Sequence, residues 1–418
     1  YNIIQDKNSN RERLMINIDR LMDDLTELAK IGRSPGGGIT RRCFSREDRE
    51  ARNWLVDKFK SCGLTVNIDP AGNITGRLEG RGPSVVCGSH IDTIVDGGMY
   101  DGSLGVLGAL ECVRTIKEKG YDVSSPIEVI SFTDEEERFI GFLGSYAFTG
   151  QIDTELVIKA RDESGISLIE AMASFGFNLR ELPKAARKKE DIKAFIELHV
   201  EQGPILEKRG VPVGIVECVK GNYRYRLTAR GRRNHAGFPM TGRKDAFAIL
   251  FSLLNRTFKA RAEIGNEDTL MTVGVFEVEP GLENVISGHA YCSLDFRDKD
   301  QGVLDLIEAE LKRGAEELNN KYGVDIDIET ILKIAPVYFD QNINAVVRSS
   351  AEELGIEWIS LQSGAGHDAQ VLGLSFPSAM IFVPSHEGLS HCPEEHTSRD
   401  DIEKGVNVLF NTLLKLAR

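Results

Sequence analysis

Gly88-Ser89-His90-Ile91-Asp92-Thr93, running on to Tyr100-Asp101-Gly102, is the stretch around which the rest of the chain arranges itself. The apolar run Ser84-Val85-Val86-Cys87 before it predicts a short buried strand. His90 then falls at the C-terminal end of that strand. Alternate residues of an extended chain point the same way, which sets Asp92 beside His90 to orient its imidazole. Asp101 follows a glycine-rich turn and can share whatever His90 binds. A histidine backed by a carboxylate is the usual way of holding a metal ligand. The remaining ligands, a base and a substrate clamp must come from elsewhere in the chain.

Composition narrows the setting. The chain has 418 residues, enough for two or three domains. Hydrophobic residues make up 41% and charged residues 28%, as in ordinary globular proteins. The net charge is −13 with no Lys/Arg block, which argues against nucleic acid or an anionic membrane as a partner. No apolar run approaches the ~20 residues of a membrane helix. Residues 1–13 read as a loose polar tail with no signal-peptide core. Seven scattered cysteines without a C-x-x-C pair suit reduced thiols and a cytoplasmic location.

Outward from the opening stretch, strands and helices alternate. Ile18, Leu21, Leu25 and Leu28 share one helical face, and Ser45 starts a second helix through Phe59. Strands are expected at 66–68, 74–77, 127–132 and 194–198. Ser103 is expected to cap a helix with Val106, Leu110, Val113 and Ile116 on its inner face. This alternation predicts an α/β domain with a mostly parallel sheet. Three polar clusters, at 90–92, 134–136 and 199–202, each stand where a strand ends, and ligand sites of such sheets lie there.

The pattern changes after Gly210. A strand through Tyr223, Tyr225 and Leu227, a helix over 245–258, strands over 269–278 and 290–296, a helix over 303–318 and a strand near 324–330 form an α+β set in ferredoxin-like order. The expected division is therefore a first domain from 1–210 and 332–418, with an inserted second domain from 211–331 that has its own core. The first domain resumes with a buried strand at 378–383 that leads towards His391, and a last helix with Ile402, Val406, Leu409, Leu413 and Leu416 on one face.

His90, His199 and His391 follow predicted buried strands. With Asp101 and one of the acidic residues 134–137 they are too many ligands for one tetrahedral ion. They suit two ions bridged by a carboxylate, about 3.5–4 Å apart. Such a site acidifies a bridging water and needs a base beside it, and the acidic run offers both a ligand and a base. Taken singly, each of these residues also has a plain structural role: a loop histidine, a solvated acidic face, a carboxylate at a helix start. There is no G-x-S-x-G elbow and no phosphate loop.

Several motifs then coincide: Gly88-Ser89-His90-Ile91-Asp92-Thr93, Thr133-Asp134-Glu135-Glu136, His199-Val200-Glu201-Gln202-Gly203-Pro204, Asn234-His235-Ala236-Gly237, Ser363-Gly364-Ala365-Gly366-His367-Asp368-Ala369 and Ser390-His391. Together they resemble the di-metal amidohydrolases that include N-carbamoyl-L-amino acid hydrolases, allantoate amidohydrolases and β-ureidopropionases, relatives of zinc aminoacylases and carboxypeptidases. The resemblance implies two divalent ions (Zn, Mn, Co or Ni) on His90, Asp101, Glu136, His199 and His391, with Asp101 as the bridge. It implies Glu135 as general base and Asp92 as the partner of His90. It implies Gln202, His235, Asn284 and Arg297 as substrate contacts, the arginine for a carboxylate, with 1–210 and 332–418 as the catalytic di-metal domain and the inserted 211–331 as a lid through which a homodimer forms. The activity it implies is hydrolysis of a ureido acid, first an N-carbamoyl-L-amino acid, then allantoate, then β-ureidopropionate. Peptide or N-acyl substrates come after these. Three departures from the pattern, at Glu137, Phe238 and His386-Glu387, point to an altered rim.

Overall fold

The computed structural model describes residues 15–418, so the tail expected over 1–13 lies outside the described part. The chain forms two compact units. One comprises the chain up to Glu217 together with Tyr338–Arg418, and the other is Cys218–Val337. These divisions fall a few residues beyond the expected 210/211 and 331/332. The reason is pairing: strand Val213–Val219 lies antiparallel to Ser378–Val383 and so continues the first unit's sheet.

The first unit is built on a nine-stranded sheet. Its central order is Ile127–Phe132, Ser84–His90, Ile192–Val200, Ser378–Val383, and these four strands are mutually parallel. Antiparallel strands flank them, Thr65–Ile68 and Ile74–Leu78 on one side and Val213–Val219 on the other. The expected α/β class with a mostly parallel sheet is therefore the observed one. The four central strands are buried almost throughout, which matches their continuous apolar runs.

Helix Ser103–Lys119 is buried along nearly its whole length, between the sheet and helices Ile18–Leu28 and Arg399–Ala417. Ser103 does not cap it. The N-cap is Gly102, which makes no side-chain cap, and the Ser103 hydroxyl instead accepts from Arg41 Nη2 at 3.2 Å.

The second unit is an antiparallel sheet in the order Phe276–Glu279, His289–Asp298, Gly221–Arg230, Asp325–Ile334, with Leu270–Thr272 also pairing with His289–Asp298. The strand expected over 269–278 is thus broken at 273–275. Helices Ala246–Ile264 and Gln301–Tyr322 pack on the sheet around Tyr223, Tyr225, Leu250, Leu294 and Phe296. The strands alternate buried and exposed residues, as a sheet with one covered face must. No helix among the described residues is long and apolar enough to cross a membrane.

Candidate metal centre

Parallel strands put all their C-terminal ends on one edge of the sheet. Register does the rest. His90 stands opposite Phe132, and Phe382 stands opposite His199. The segments that follow therefore bring together His90, the acidic run 134–136, His199 and the loop to His391. Asp101 joins them from the start of helix Ser103–Lys119.

The Asp101 carboxylate is the common neighbour. Its Oδ1 lies 3.5 Å from His90 Nε2 and 3.1 Å from His199 Nε2. Its Oδ2 lies 3.2 Å from His391 Nε2 and accepts from Gln202 Nε2 at 2.8 Å and Ser390 Oγ at 2.9 Å. Glu136 Oε2 is 3.5 Å from His391 Nε2, and Glu135 Oε2 is 3.6 Å from His90 Nε2. Two ligand groups thus share one carboxylate: His90, Asp101 and His199 on one side, Asp101, Glu136 and His391 on the other.

Imidazole orientation follows from the backbone. His90 Nδ1 donates to the Asp92 carbonyl oxygen at 3.0 Å, and His199 Nδ1 to the Val200 carbonyl oxygen at 3.0 Å. Each ring therefore turns Nε2 towards the carboxylates. Asp92 takes the His90 hydrogen bond through its main chain, rather than through the side chain that was expected to. Its Oδ1 stands 3.8 Å from His90 Nδ1 and has no hydrogen-bond partner, while Oδ2 accepts the Glu136 N–H at 3.3 Å.

The electrostatics fit cations. Burial pushes the Glu135 carboxyl well above its usual range, and the charges of Glu136, Asp368 and Asp101 add to the effect against the opposing pull of His90. Burial and then Asp101 raise Glu136 to about 7. Burial also disfavours ionised Asp101, but His199, His391 and His90 together hold it well below the usual range. The Asp101 hydrogen bond and Glu136 raise His391 to about 9. Clustered carboxylates and imidazoles in one buried place are groups that could hold a metal cation.

Gly102 is required at its position. Its φ is +61°, and a Cβ there would lie 2.4 Å from His90 Nε2. Asp134, Glu137, Gln202 and His391 also have positive φ without being glycine. Each costs about 1–2 kcal/mol of backbone strain, and such residues concentrate at functional sites.

Several residues organise the site in ways the sequence did not show. The buried Asp134 carboxylate accepts the N–H groups of Arg138, Phe139 and Ile140 at 3.0, 3.1 and 2.9 Å, and so folds the loop carrying Glu135 and Glu136. Glu395 Oε1 accepts the N–H groups of Tyr100 and Asp101. Glu197 bridges Ser89 Oγ and the Ala369 N–H at 2.6 and 2.7 Å. Arg41, fully buried, donates to the carbonyls of Ile91, Leu28 and Ile31. An Asp that accepts backbone amides four to six residues on leaves a faint local signal. The other contacts join residues tens to hundreds of positions apart and leave none. His367, without a clear role from sequence, packs edge-on against His199 with ring centroids 4.5 Å apart, and its Nε2 meets Ser363 Oγ at 3.0 Å.

The remaining expected contacts lie in the second unit. His235 and Asn284 come together there: Asn234–His235 pairs with Val285–Ile286, and the Ala236 N–H donates to the Asn284 carbonyl oxygen at 2.9 Å. His235 Nδ1 accepts the Gly237 N–H at 3.0 Å, which leaves Nε2 to carry the proton. Arg297 is elsewhere. It lies towards the other end of strand His289–Asp298, with Nε on Asp295 Oδ1 at 2.9 Å. At about 3.4 Å per residue, His289 and Arg297 are about 27 Å apart, and the ribbon bearing His235 runs on from the His289 end.

The sequence profile of peptidase family M20/M25/M40 matches residues 86–415. The chain belongs to that family. The motif resemblance is borne out over nearly the whole length. An N-carbamoyl-L-amino acid amidohydrolase of Geobacillus stearothermophilus is 38% identical over 410 residues, covering 97% of this chain and 100% of that one. An allantoate amidohydrolase of Bacillus subtilis is 37% identical over 413 residues, with 97% and 100% coverage. A solved amidase of the hydantoinase/carbamoylase family from Burkholderia multivorans superposes with a TM-score of 0.87 at 34% identity, covering 97% and 98%. This family member is thus an amidohydrolase on the family's fold, with the candidate metal residues at its strand ends.

Proposed function

We propose that the chain hydrolyses the C–N bond of a ureido carboxylate, first among them an N-carbamoyl-L-amino acid, yielding the amino acid, CO2 and ammonia. One observation carries this reading: two ligand groups share the Asp101 carboxylate with Glu135 alongside, on a chain 38% identical to an N-carbamoyl-L-amino acid amidohydrolase. His90, Asp101 and His199 would hold one divalent ion, and Asp101, Glu136 and His391 a second. Zn, Mn, Co and Ni all suit mixed imidazole and carboxylate ligands. When bound, the ions supply Lewis acidity and lower the pKa of an adjacent water.

The protein's own groups do the rest. Glu135, whose buried carboxyl has a raised proton affinity, takes the proton of the attacking water and returns it to the nitrogen leaving the carbamoyl carbon. His235 Nε2–H and Asn284 donate to the oxygen on which negative charge develops. Arg297 takes the substrate carboxylate as a bidentate partner. Gln202, already on Asp101, completes the substrate contacts with its unpartnered Oε1.

A small substrate does not span the distance between Arg297 and the His235 ribbon. Both act on one substrate only if a second copy supplies one of them, which supports a homodimer. The exposed ring face of Phe247, Phe251 and Phe258 on helix Ala246–Ile264 offers it an apolar surface. The inserted unit would thus serve dimerisation. Seven cysteines, all in the thiol form, support a cytoplasmic setting.

A second reading, allantoate hydrolysis, is favoured by the 37% identical allantoate amidohydrolase. The deciding experiment is a panel of N-carbamoyl-L-amino acids, allantoate, N-carbamoyl-β-alanine, N-acetyl amino acids and dipeptides, assayed for ammonia and for amino acid with added Mn, Co, Ni or Zn. Ammonia from ureido acids is expected. Turnover of acyl or peptide substrates alone would sink the proposal.

A further inference from the structure

The loop bearing His391 leaves strand Ser378–Val383 and rejoins the chain at helix Arg399–Ala417. Its neck is closed by the His386 N–H, which donates to the His396 carbonyl oxygen at 2.8 Å. Inside the neck the loop presents Ser390, His391 and Glu395 to Asp101 and its neighbours. Outside it, both neck imidazoles line a cavity of about 340 Å³ together with Glu207, Asp400, Asp401 and Lys404. These six residues have no part in the chemistry described above.

The two rings are neighbours at the cavity, with centroids 6.3 Å apart. The Glu207 carboxylate accepts from His386 Nδ1 at 2.7 Å and from the Glu387 N–H at 2.7 Å. A carboxylate on one ring nitrogen fixes the tautomer and leaves Nε2 as an electron-pair donor, the arrangement that commonly backs a metal-bound histidine. His396 is steadied by an edge contact with Tyr100 at 6.2 Å. Three carboxylates line the cavity against one ammonium, that of Lys404, which is taken up by Asp400 at 2.5 Å. The cavity therefore attracts cations, and imidazole selects transition metals over Mg or Ca.

We propose that this neck binds a transition-metal cation through His386 and His396, backed by Glu207, at a site separate from the Asp101 centre. A bound ion clasps the base of the loop that positions His391. Both histidines are exposed, and replacing them gives up only the edge contact of His396 with Tyr100 and the hydrogen bond of His386 to Glu207.

The test is equilibrium dialysis of the full-length protein, its Asp101 centre already loaded, against Ni2+ or Zn2+, with metal counted by elemental analysis. The wild type is expected to take up one equivalent more than the H386N/H396Q double variant, and added Ni2+ should raise the Tm of the wild type alone. Glu207→Gln should weaken the extra equivalent about 10–100-fold. Equal stoichiometry in wild type and double variant overturns the proposal, as does an extra Mg2+ equivalent lost with the same histidines. Should the double variant fail to fold, His396→Gln alone decides, because one remaining imidazole does not retain the equivalent.

Discussion

Replacing Asp134 by alanine tests whether one buried carboxylate shapes the catalytic loop. It accepts three backbone N–H groups within 3.1 Å, from Arg138, Phe139 and Ile140. Burial first, and then the charge of Asp92, raise its own pKa to about 7, against the three amides that lower it, so it is partly neutral at physiological pH. Each hydrogen bond is then worth nearer the ordinary ~1 kcal/mol than the 1.5–3 of a fully charged acceptor. Alanine removes three and leaves buried donors unsatisfied, a loss of about 3–5 kcal/mol. In a unit of this size that lowers Tm by roughly 2–4 °C per kcal/mol, or about 6–20 °C in all. The positive-φ residues Asp134, Glu137 and Phe142 lose their restraint as well, and a shift of about 1 Å in Glu135 costs about 100-fold in kcat. Thermal denaturation and steady-state kinetics measure the two effects. D134N, which keeps one acceptor oxygen, should fall between wild type and D134A. If D134A lies within 1 °C of wild type and within threefold in kcat, the loop is held by something else and the reasoning fails.

Four further outcomes are expected. Glu135→Gln should lower kcat by about 10²–10⁴-fold while metal content per chain stays the same; undiminished turnover refutes its role as base. Gly102→Ala should lose metal from the His90 side, measurable by elemental analysis, because its Cβ would lie against His90 Nε2. Chelation should abolish activity, restorable by a transition-metal ion, and lower Tm: a ligand at 100 times its Kd contributes about 2.7 kcal/mol. Glu308→Gln probes pH dependence in the second unit. Burial opposes ionisation of Glu308, but Lys312, Lys333 and Tyr225 outweigh it and hold the carboxyl at about 2. A depressed carboxyl stabilises the fold above its unfolded value and loses that contribution as pH falls through about 4.5 towards 2. The Tm gap between wild type and E308Q should be widest near pH 7 and shrink by pH 3; a constant gap refutes the assignment.

Strand ends, and the imidazoles and carboxylates that stand at them, were legible in the sequence because buried parallel strands are continuous apolar runs, and the residues just after them are polar. His90, Glu135, Glu136, His199 and His391 could all be placed at those ends before any coordinates. What holds them was not legible. Glu395 reaches Asp101 across 294 positions, and Glu197 reaches Ala369 across 172. No local pattern encodes such contacts. Asp92 illustrates a subtler limit: its side chain was expected to orient His90, yet the main-chain carbonyl, invisible to residue identity, takes the hydrogen bond. Ser103 illustrates another: a residue suited to capping was taken up by Arg41 because Gly102 had to stand before it.

Arg41 itself ties the chemistry to an element distant from it. Its guanidinium reaches the Ile91 carbonyl between His90 and Asp92, and also the carbonyls of Leu28 and Ile31, at and just after the end of helix Ile18–Leu28. The turn beneath the first ligand is finished only when that helix has docked. A protease cut near Lys30 that frees the helix would strand a buried cation under the metal centre. Clipped protein should thus lose its metal while most of its sheet survives, and damage at the start of the fold would be read out as inactivity at its centre.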